Sequence, residues 1–154
     1  GRKINDGMGK FVADAIIKKL ILANKVVKQA KVVILGITFK ENTPDTRNSK
    51  VVDIIDSLRD YGIEPIVVDP EADADEAKNE YDIELTDIKE VQDADCLVLA
   101  VAHETFKRMC WSDIDSLYGD FDNNEKVLID VKSILDRKEI EPRRLREGHE
   151  DTTY

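Results

Sequence analysis

The sequence predicts a three-layer α/β/α domain of Rossmann-like type, with a mainly parallel five-stranded sheet preceded by a long helix. Three observations carry that prediction. Short apolar runs recur at 31–36, 63–68, 96–101 and 127–129, each bounded by Gly, Asp or another polar residue. Between them lie stretches with apolar residues spaced three and four apart, the signature of amphipathic helices. The length of 154 residues suffices for one hydrophobic core of ordinary size and not for two. Strands alternating with helices give a parallel sheet covered on both faces, with right-handed crossovers.

Each element has its own warrant. Over residues 5–29 the pattern is helical, with Met8, Phe11, Val12, Ala15, Ile16, Leu20, Ala23 and Val27 on one side and Asn5 or Asp6 as N-cap. Ile17 and Ile21 widen the stripe beyond what one packing surface needs, so this helix is expected to face its own domain and something else. Residues 31–36, Lys-Val-Val-Ile-Leu-Gly, read as a buried parallel strand. Residues 37–49 form a polar loop containing Pro44. Val51, Val52, Ile54, Ile55 and Leu58 mark a second helix, closed by Gly62. A strand over 63–68 stops at Asp69-Pro70, and the acidic stretch 71–80 is a loop or a short exposed helix. Residues 83–85 give a short third strand and 87–92 a short helix. Strands at 96–101 and 127–129 follow, with a helical stretch at 104–109 and the segment around Trp111 between them.

Composition narrows the function. With 42% hydrophobic and 36% charged residues the chain is a folded protein, not a disordered one. The longest dense apolar stretch, 13–27, is broken by Lys18, Lys19, Asn24 and Lys25, so no membrane span is expected. The first residues lack the layout of a signal peptide, and the chain begins without Met, so it reads as part of a longer protein. Cys96 and Cys110 have no C-x-x-C spacing, which indicates neither a zinc site nor a disulfide framework and favours a reducing cytoplasm. A net charge of -10 argues against nucleic acid or an anionic membrane as partner. It leaves room for a small anionic ligand, because screening limits charge effects to roughly 8 Å at physiological salt.

In open α/β sheets ligands bind beyond the carboxyl ends of the strands, near the point where strand order reverses. That rule nominates residues 36–49, Asp69 and Pro70, Ala102 and His103, and residues 130–133. The first segment is the richest. It lacks the G-x-G-x-x-G fingerprint and is not a P-loop, yet it carries Lys40 and Arg47 seven residues apart with hydroxyls and amides between them. Two such cations can hold a diphosphate through charge-assisted hydrogen bonds, with Phe39 as an apolar face beside them. The alternative is a solvated connector whose cations pair with Glu41 and Asp45. Spacing alone leaves both open.

The run Gly36-Ile-Thr-Phe-Lys-Glu-Asn-Thr-Pro-Asp-Thr-Arg-Asn-Ser49 closely resembles the signature loop of the C-terminal domain in the UDP-glucose/GDP-mannose dehydrogenase family. Further landmarks follow in the family's order. Residues 2–8, Arg-Lys-Ile-Asn-Asp-Gly-Met, resemble the start of the helix joining the central dimerisation region to that domain. Val101-Ala102-His103 with Phe106, and residues 130–137, Asp-Val-Lys-Ser-Ile-Leu-Asp-Arg, resemble the later ones. The Asn-Asp-x-Met start, the Pro-Asp-x-Arg-Asn-Ser loop and the Ala-His pair are most similar to the branch acting on UDP-N-acetylhexosamines.

The resemblance implies residues 1–29 as the end of the central region and its linker helix, and 30–154 as the UDP-sugar-binding domain. It implies an enzyme that oxidises C6 of a nucleotide sugar to the carboxylate with NAD, through a thiohemiacetal on a Cys in the central region. NAD is bound mainly by an N-terminal domain, and the enzyme is a homodimer. The partners are therefore a UDP-sugar and the N-terminal and central domains of the same enzyme. By that resemblance Phe39 and Lys40 contact the nucleotide sugar and Arg47 reaches toward the NAD site. Lys132 is a basic position near the uridine half, where a Lys in place of Arg loses the planar fork; Arg137 is the alternative. His103 is either a ligand contact or a strand-end residue, while Glu41, Asn42 and Asp45 orient the two cations. Cys96, set in Asp-Cys-Leu-Val-Leu, reads as a buried strand residue. The fragment is expected to bind and not to turn over. Two other readings remain: the UDP-glucose or GDP-mannose branch, and a free-standing nucleotide-binding module.

Overall fold

The computed structural model describes residues 7–119 and 125–132. Four short parallel strands form the sheet: β1 Val32–Leu35, β2 Ile66–Val68, β3 Cys96–Leu99 and β4 Val127–Asp130, in the order β2-β1-β3-β4. Helices α1 Met8–Leu22, α2 Val51–Asp60, α3 Ala74–Tyr81, α4 Glu104–Lys107 and α5 Trp111–Asp115 surround it, with 3₁₀ turns at Val27–Gln29 and Ile88–Glu90. All three strand pairs are parallel and in uninterrupted register, with Ile34 beside Val67 and Val98, and Val98 beside Ile129.

The three layers follow from the alternation of side chains along each strand. Val32, Ile34, Cys96, Val98, Val127 and Ile129 point to one face, where Val12, Ile16 and Leu20 of α1 and Ile54, Ile55 and Leu58 of α2 cover them. Val33, Leu35 and Leu97 point to the other, against Phe106, Leu117 and Tyr118. The continuous apolar runs read as doubly covered strands are just that.

Three elements differ from the sequence expectation, each for a local reason. The sheet has four strands, not five. Residues 83–85 contribute a single bridge, Leu85 with Val67, between an Asp82 in left-handed conformation and an Asp87 that caps the next turn, so no room is left for a ladder. The first helix ends at Leu22 rather than at 29. Asn24 takes φ 64°, and the Lys25 and Asn24 amides donate back to the Leu20 and Ile21 carbonyls at 2.9 and 3.0 Å, the bond pair of a Schellman cap. The caps expected at Asn5 or Asp6 lie outside the described residues. The strand expected at 63–68 begins only at Ile66, because Ile63 completes the cap of α2: its amide donates to Leu58 O at 3.1 Å across Gly62. Of the two readings of the acidic stretch, the short helix is the one formed, started by Asp73, whose carboxylate accepts the Glu76 amide. Gly62 closes α2 as read from the sequence.

Helices α1 and α2 cross in close contact at Gly9. A Cβ there would meet Asp53 C and Cβ at 2.6 Å. Ala is favoured over Gly by about 1 kcal/mol inside a helix, yet overpacking against backbone costs about 1–3 kcal/mol. Gly9→Ala is therefore expected to destabilise the domain by about 1–2 kcal/mol in urea unfolding. A stabilised variant would show that the two helices separate easily. At the far end of α1, Ile21, Leu22 and Val26 remain exposed, Leu22 by 69%. No helix among the described residues is long and apolar enough to cross a membrane.

Candidate functional site

The chain reverses direction across the sheet between β1 and β3, since β2 lies on one side of β1 and β3 on the other. The loops leaving the carboxyl ends of these strands therefore diverge and leave a crevice. Gly36 makes the exit from β1 possible. Its φ is 101°, and a Cβ would sit 2.6 Å from Val101 Cβ and 2.8 Å from Val101 N.

A cleft of about 410 Å³ opens there. Phe39, Lys40 and Glu41 line it from the β1 loop, residues 99–102 from the end of β3, and Asp130 and Lys132 from the end of β4. Phe39, Lys40 and Lys132, three residues singled out in the sequence, thus share one wall system although they come from two loops about ninety residues apart. Phe39 is half exposed and carries the Lys40 ammonium 5.9 Å from its ring centroid. Lys40 makes no salt bridge among the described residues. The Lys132 amide donates to Asp130 Oδ1 at 3.1 Å, which turns the chain at the end of β4. Two ammonium groups, an aromatic face and the strand-end backbone suit an anion joined to a flat ring. The carboxylates of Glu41 and Asp130 add acceptors for hydroxyl or N–H donors.

The loop is built from within. The Asp69 carboxylate, at the end of β2, accepts the Ile37 amide at 2.7 Å on Oδ2 and the Glu71 and Ala72 amides at 2.8 and 3.0 Å on Oδ1. His103, with 0% of its surface exposed, lies 3.0 Å from Asp69 Oδ2 through Nε2 and accepts the Asn42 amide on Nδ1 at 2.8 Å. Nδ1 is an acceptor, so the proton is on Nε2 and the ring is neutral. The Asn42 side chain in turn accepts the Glu104 amide at 2.8 Å. Of the two readings of His103, the strand-end residue holds: it is sealed beneath the loop and does not reach the cleft. Asn42 orients backbone rather than either cation.

Arg47 stands apart. Its guanidinium bonds Asp45 at 3.0 Å and approaches Glu76 at 3.7 Å, with the side chain 70% exposed and absent from the cleft wall. The Asp45 carboxyl is held below its usual range by that Arg47 bond. The carboxylate pairing that the solvated-connector alternative expects is thus present at Arg47, while Lys40 has no such salt bridge among the described residues. Glu41 lies on the cleft wall, while the Asp45 carboxylate bonds Arg47 and its backbone carbonyl accepts the Phe39 amide at 2.9 Å. Arg137 lies outside the described residues.

Sequence reasoning missed two supports. Asp69 was nominated only as a strand end. Glu76 Oε1 accepts both the amide and the hydroxyl of fully buried Thr46 at 2.8 Å, tying the loop to α3. The Asp73-x-x-Glu76 spacing announces a helix start, but a bond to a residue thirty positions away leaves no local signal. Cys96 is buried, and burial pushes its thiol well above the ordinary range. No cluster of metal-ligating side chains occurs among the described residues. A second hollow, about 300 Å³ and largely apolar, lies over the end of β2 between Pro70, Leu85, Ile88 and Phe106.

Comparison with known proteins gives one consistent answer. Residues 33–137 match the UDP-glucose/GDP-mannose dehydrogenase family, UDP binding domain. The chain is 41% identical over 136 residues to the UDP-N-acetyl-D-glucosamine 6-dehydrogenase of Pseudomonas aeruginosa, covering 88% of this chain and 31% of that protein. It is 39% identical over 140 residues to Protein CapL of Staphylococcus aureus, covering 91% and 32%. The structure of the UDP-D-ManNAc dehydrogenase from Pyrococcus horikoshii superposes with a TM-score of 0.64 at 28% identity, over 82% of this chain and 27% of that one. The chain spans about a third of the length of the curated relatives it matches.

Proposed function

The chain belongs to the UDP-glucose/GDP-mannose dehydrogenase family, and we propose that it is the nucleotide-sugar-binding domain of a UDP-N-acetylhexosamine 6-dehydrogenase. The observation that carries the proposal is the cleft that gathers Phe39, Lys40 and Lys132 at the strand ends. Lys40 meets the diphosphate, the Phe39 face lies beside it, and Lys132 serves the uridine half. The relatives that favour the N-acetylhexosamine branch are named for UDP-N-acetyl-D-glucosamine and UDP-D-ManNAc. Such a cytoplasmic enzyme oxidises the C6 alcohol to the carboxylate.

NAD does not fit this chain as a site of its own. Only Gly36 stands in the first strand-to-helix turn, and Asp69, at the end of β2 where a dinucleotide fold holds the ribose, spends its carboxylate on four internal bonds. NAD is accordingly assigned to the rest of the enzyme, with Arg47 facing it from outside the cleft. Cys96 is too deeply buried to serve as the thiolate nucleophile, and Cys110, though exposed, is not among the residues that line the cleft, so the reacting Cys is assigned to the central region. The exposed end of α1 is assigned to contact with the central region and the homodimer.

Calorimetry tests the proposal. UDP should bind this chain weakly, GDP more weakly still, and no NADH should form when NAD and a UDP-sugar are supplied. Arg47→Ala should leave UDP affinity within about twofold of wild type, because exposed Arg47 pairs with Asp45 rather than lining the cleft. Equal losses for Arg47 and Lys40 variants would make Arg47 a nucleotide-sugar ligand. NADH production by this chain alone would contradict the division of labour.

A further inference from the structure

Lys40 sits at the tip of the β1 loop, and the two residues that flank it at a distance of two, Thr38 and Asn42, both bond to one imidazole. His103 Nδ1 accepts the Asn42 amide at 2.8 Å. Its Nε2 lies 3.0 Å from Asp69 Oδ2 and 3.3 Å from Thr38 Oγ1. The Thr38 hydroxyl donates to the Lys40 carbonyl at 2.7 Å, so its lone pairs are left to face the Nε2–H. The Thr43 hydroxyl donates to the same carbonyl at 3.2 Å. The polarity runs one way through the ring: in at Nδ1 from the loop, out at Nε2 to the carboxylate.

The imidazole itself has little freedom. It is fully buried and packs on Phe106, with ring centroids 5.6 Å apart. Asn42 holds φ 59°, a left-handed backbone that Asn tolerates and that reverses the chain just after the tip. The Lys40 carbonyl is bonded inward by two hydroxyls, and Lys40 and Phe39 line the cleft.

We propose that His103 is a positioning residue of the nucleotide cleft: its two ring nitrogens clamp Thr38 and Asn42 and thereby fix the Phe39-Lys40 tip in the conformation that receives a nucleoside diphosphate. This rests on the functional reading above. It goes beyond it in making a side chain that never touches the ligand set the geometry of two that do. A preformed tip spares the ordering cost of binding, which for a loop of this size is comparable to one hydrogen bond or more.

The test compares wild type with His103→Phe, which keeps a planar apolar ring without either nitrogen, and His103→Gln, which restores an acceptor and a donor on one planar group. Two readouts at one fixed neutral pH separate positioning from simple support: backbone order parameters of residues 38–42 without ligand, and UDP affinity by calorimetry. The Phe variant should loosen the tip and lose about tenfold in affinity, the value of one net hydrogen bond. The Gln variant should recover most of both. A folded Phe variant with an ordered tip and unchanged affinity overturns the inference. Should the Phe variant not fold, Thr38→Val removes the hydroxyl link isosterically; a loss of about threefold supports the clamp, and no loss with an unchanged tip overturns it. Wild type that fails to bind UDP sinks the functional reading instead, and the order parameters still decide whether His103 holds the tip.

Discussion

Asp69→Ala should cost the domain about 3–5 kcal/mol, because several donors at the strand ends lose one shared acceptor group. The carboxylate is sealed, and its two oxygens accept the amides of Ile37, Glu71 and Ala72 and the Nε2–H of His103. An alanine leaves these donors unpaired unless water enters the space it vacates, at about 1–3 kcal/mol for each buried group left unsatisfied. Relaxation of Glu71 and Ala72 toward solvent recovers part of that, so the sum is not reached. Urea unfolding reads the loss directly. Asp69→Asn, which keeps one acceptor oxygen, should fall between the two proteins. A loss below about 1 kcal/mol for the alanine variant would mean that the strand ends do not depend on this carboxylate.

The second large effect is on binding. Lys40→Ala should weaken UDP affinity by about 1.5–3 kcal/mol, roughly ten- to a hundredfold, the worth of one hydrogen bond to a charged group. The side chain lines the cleft and makes no salt bridge among the described residues, so its removal leaves no protein carboxylate behind to confuse the measurement. Lys40→Arg should retain much of the affinity, since charge matters more than fork geometry at a diphosphate that a Lys already serves. Thermal unfolding should barely move in either variant. Equal affinity for wild type and Lys40→Ala would return the loop to a solvated connector.

How much of this was legible in the sequence depends on the range of the interaction. The strands were readable because burial on both faces demands unbroken apolar runs, as in 32–35 and 96–99. Gly62 announced the end of α2 because a left-handed residue there leaves few alternatives. Asn24 did the same for α1 and was overlooked, since Asn is also an ordinary surface residue and the apolar spacing continues through Val27. The third strand failed because Ile83 and Leu85 do alternate toward the core, yet three residues between two caps cannot build a ladder. At the site, the residue types that bind phosphate were visible in Phe39 and Lys40, and chain order placed Lys132 at a strand end. The supports were not. His103, Asp69 and Glu76 act on residues thirty or more positions away, and each looks in sequence like a strand end or a helix start. Separating Lys40 from Arg47 likewise needed the fold: the Asp45 pairing was an open alternative in the sequence, and only the structure shows Arg47 taking it, with Glu76 of α3 nearby, while Lys40 lines the cleft.

A titration of the isotopically labelled chain with UDP, followed amide by amide, tests the central claim most directly. Perturbations should gather at 36–42, 99–102 and 130–132, the three strand ends that wall the cleft, with Arg47 and the exposed end of α1 unmoved. Perturbations centred instead on Pro70, 85–88 and Phe106, around the hollow over β2, or no saturable change at all, would contradict it.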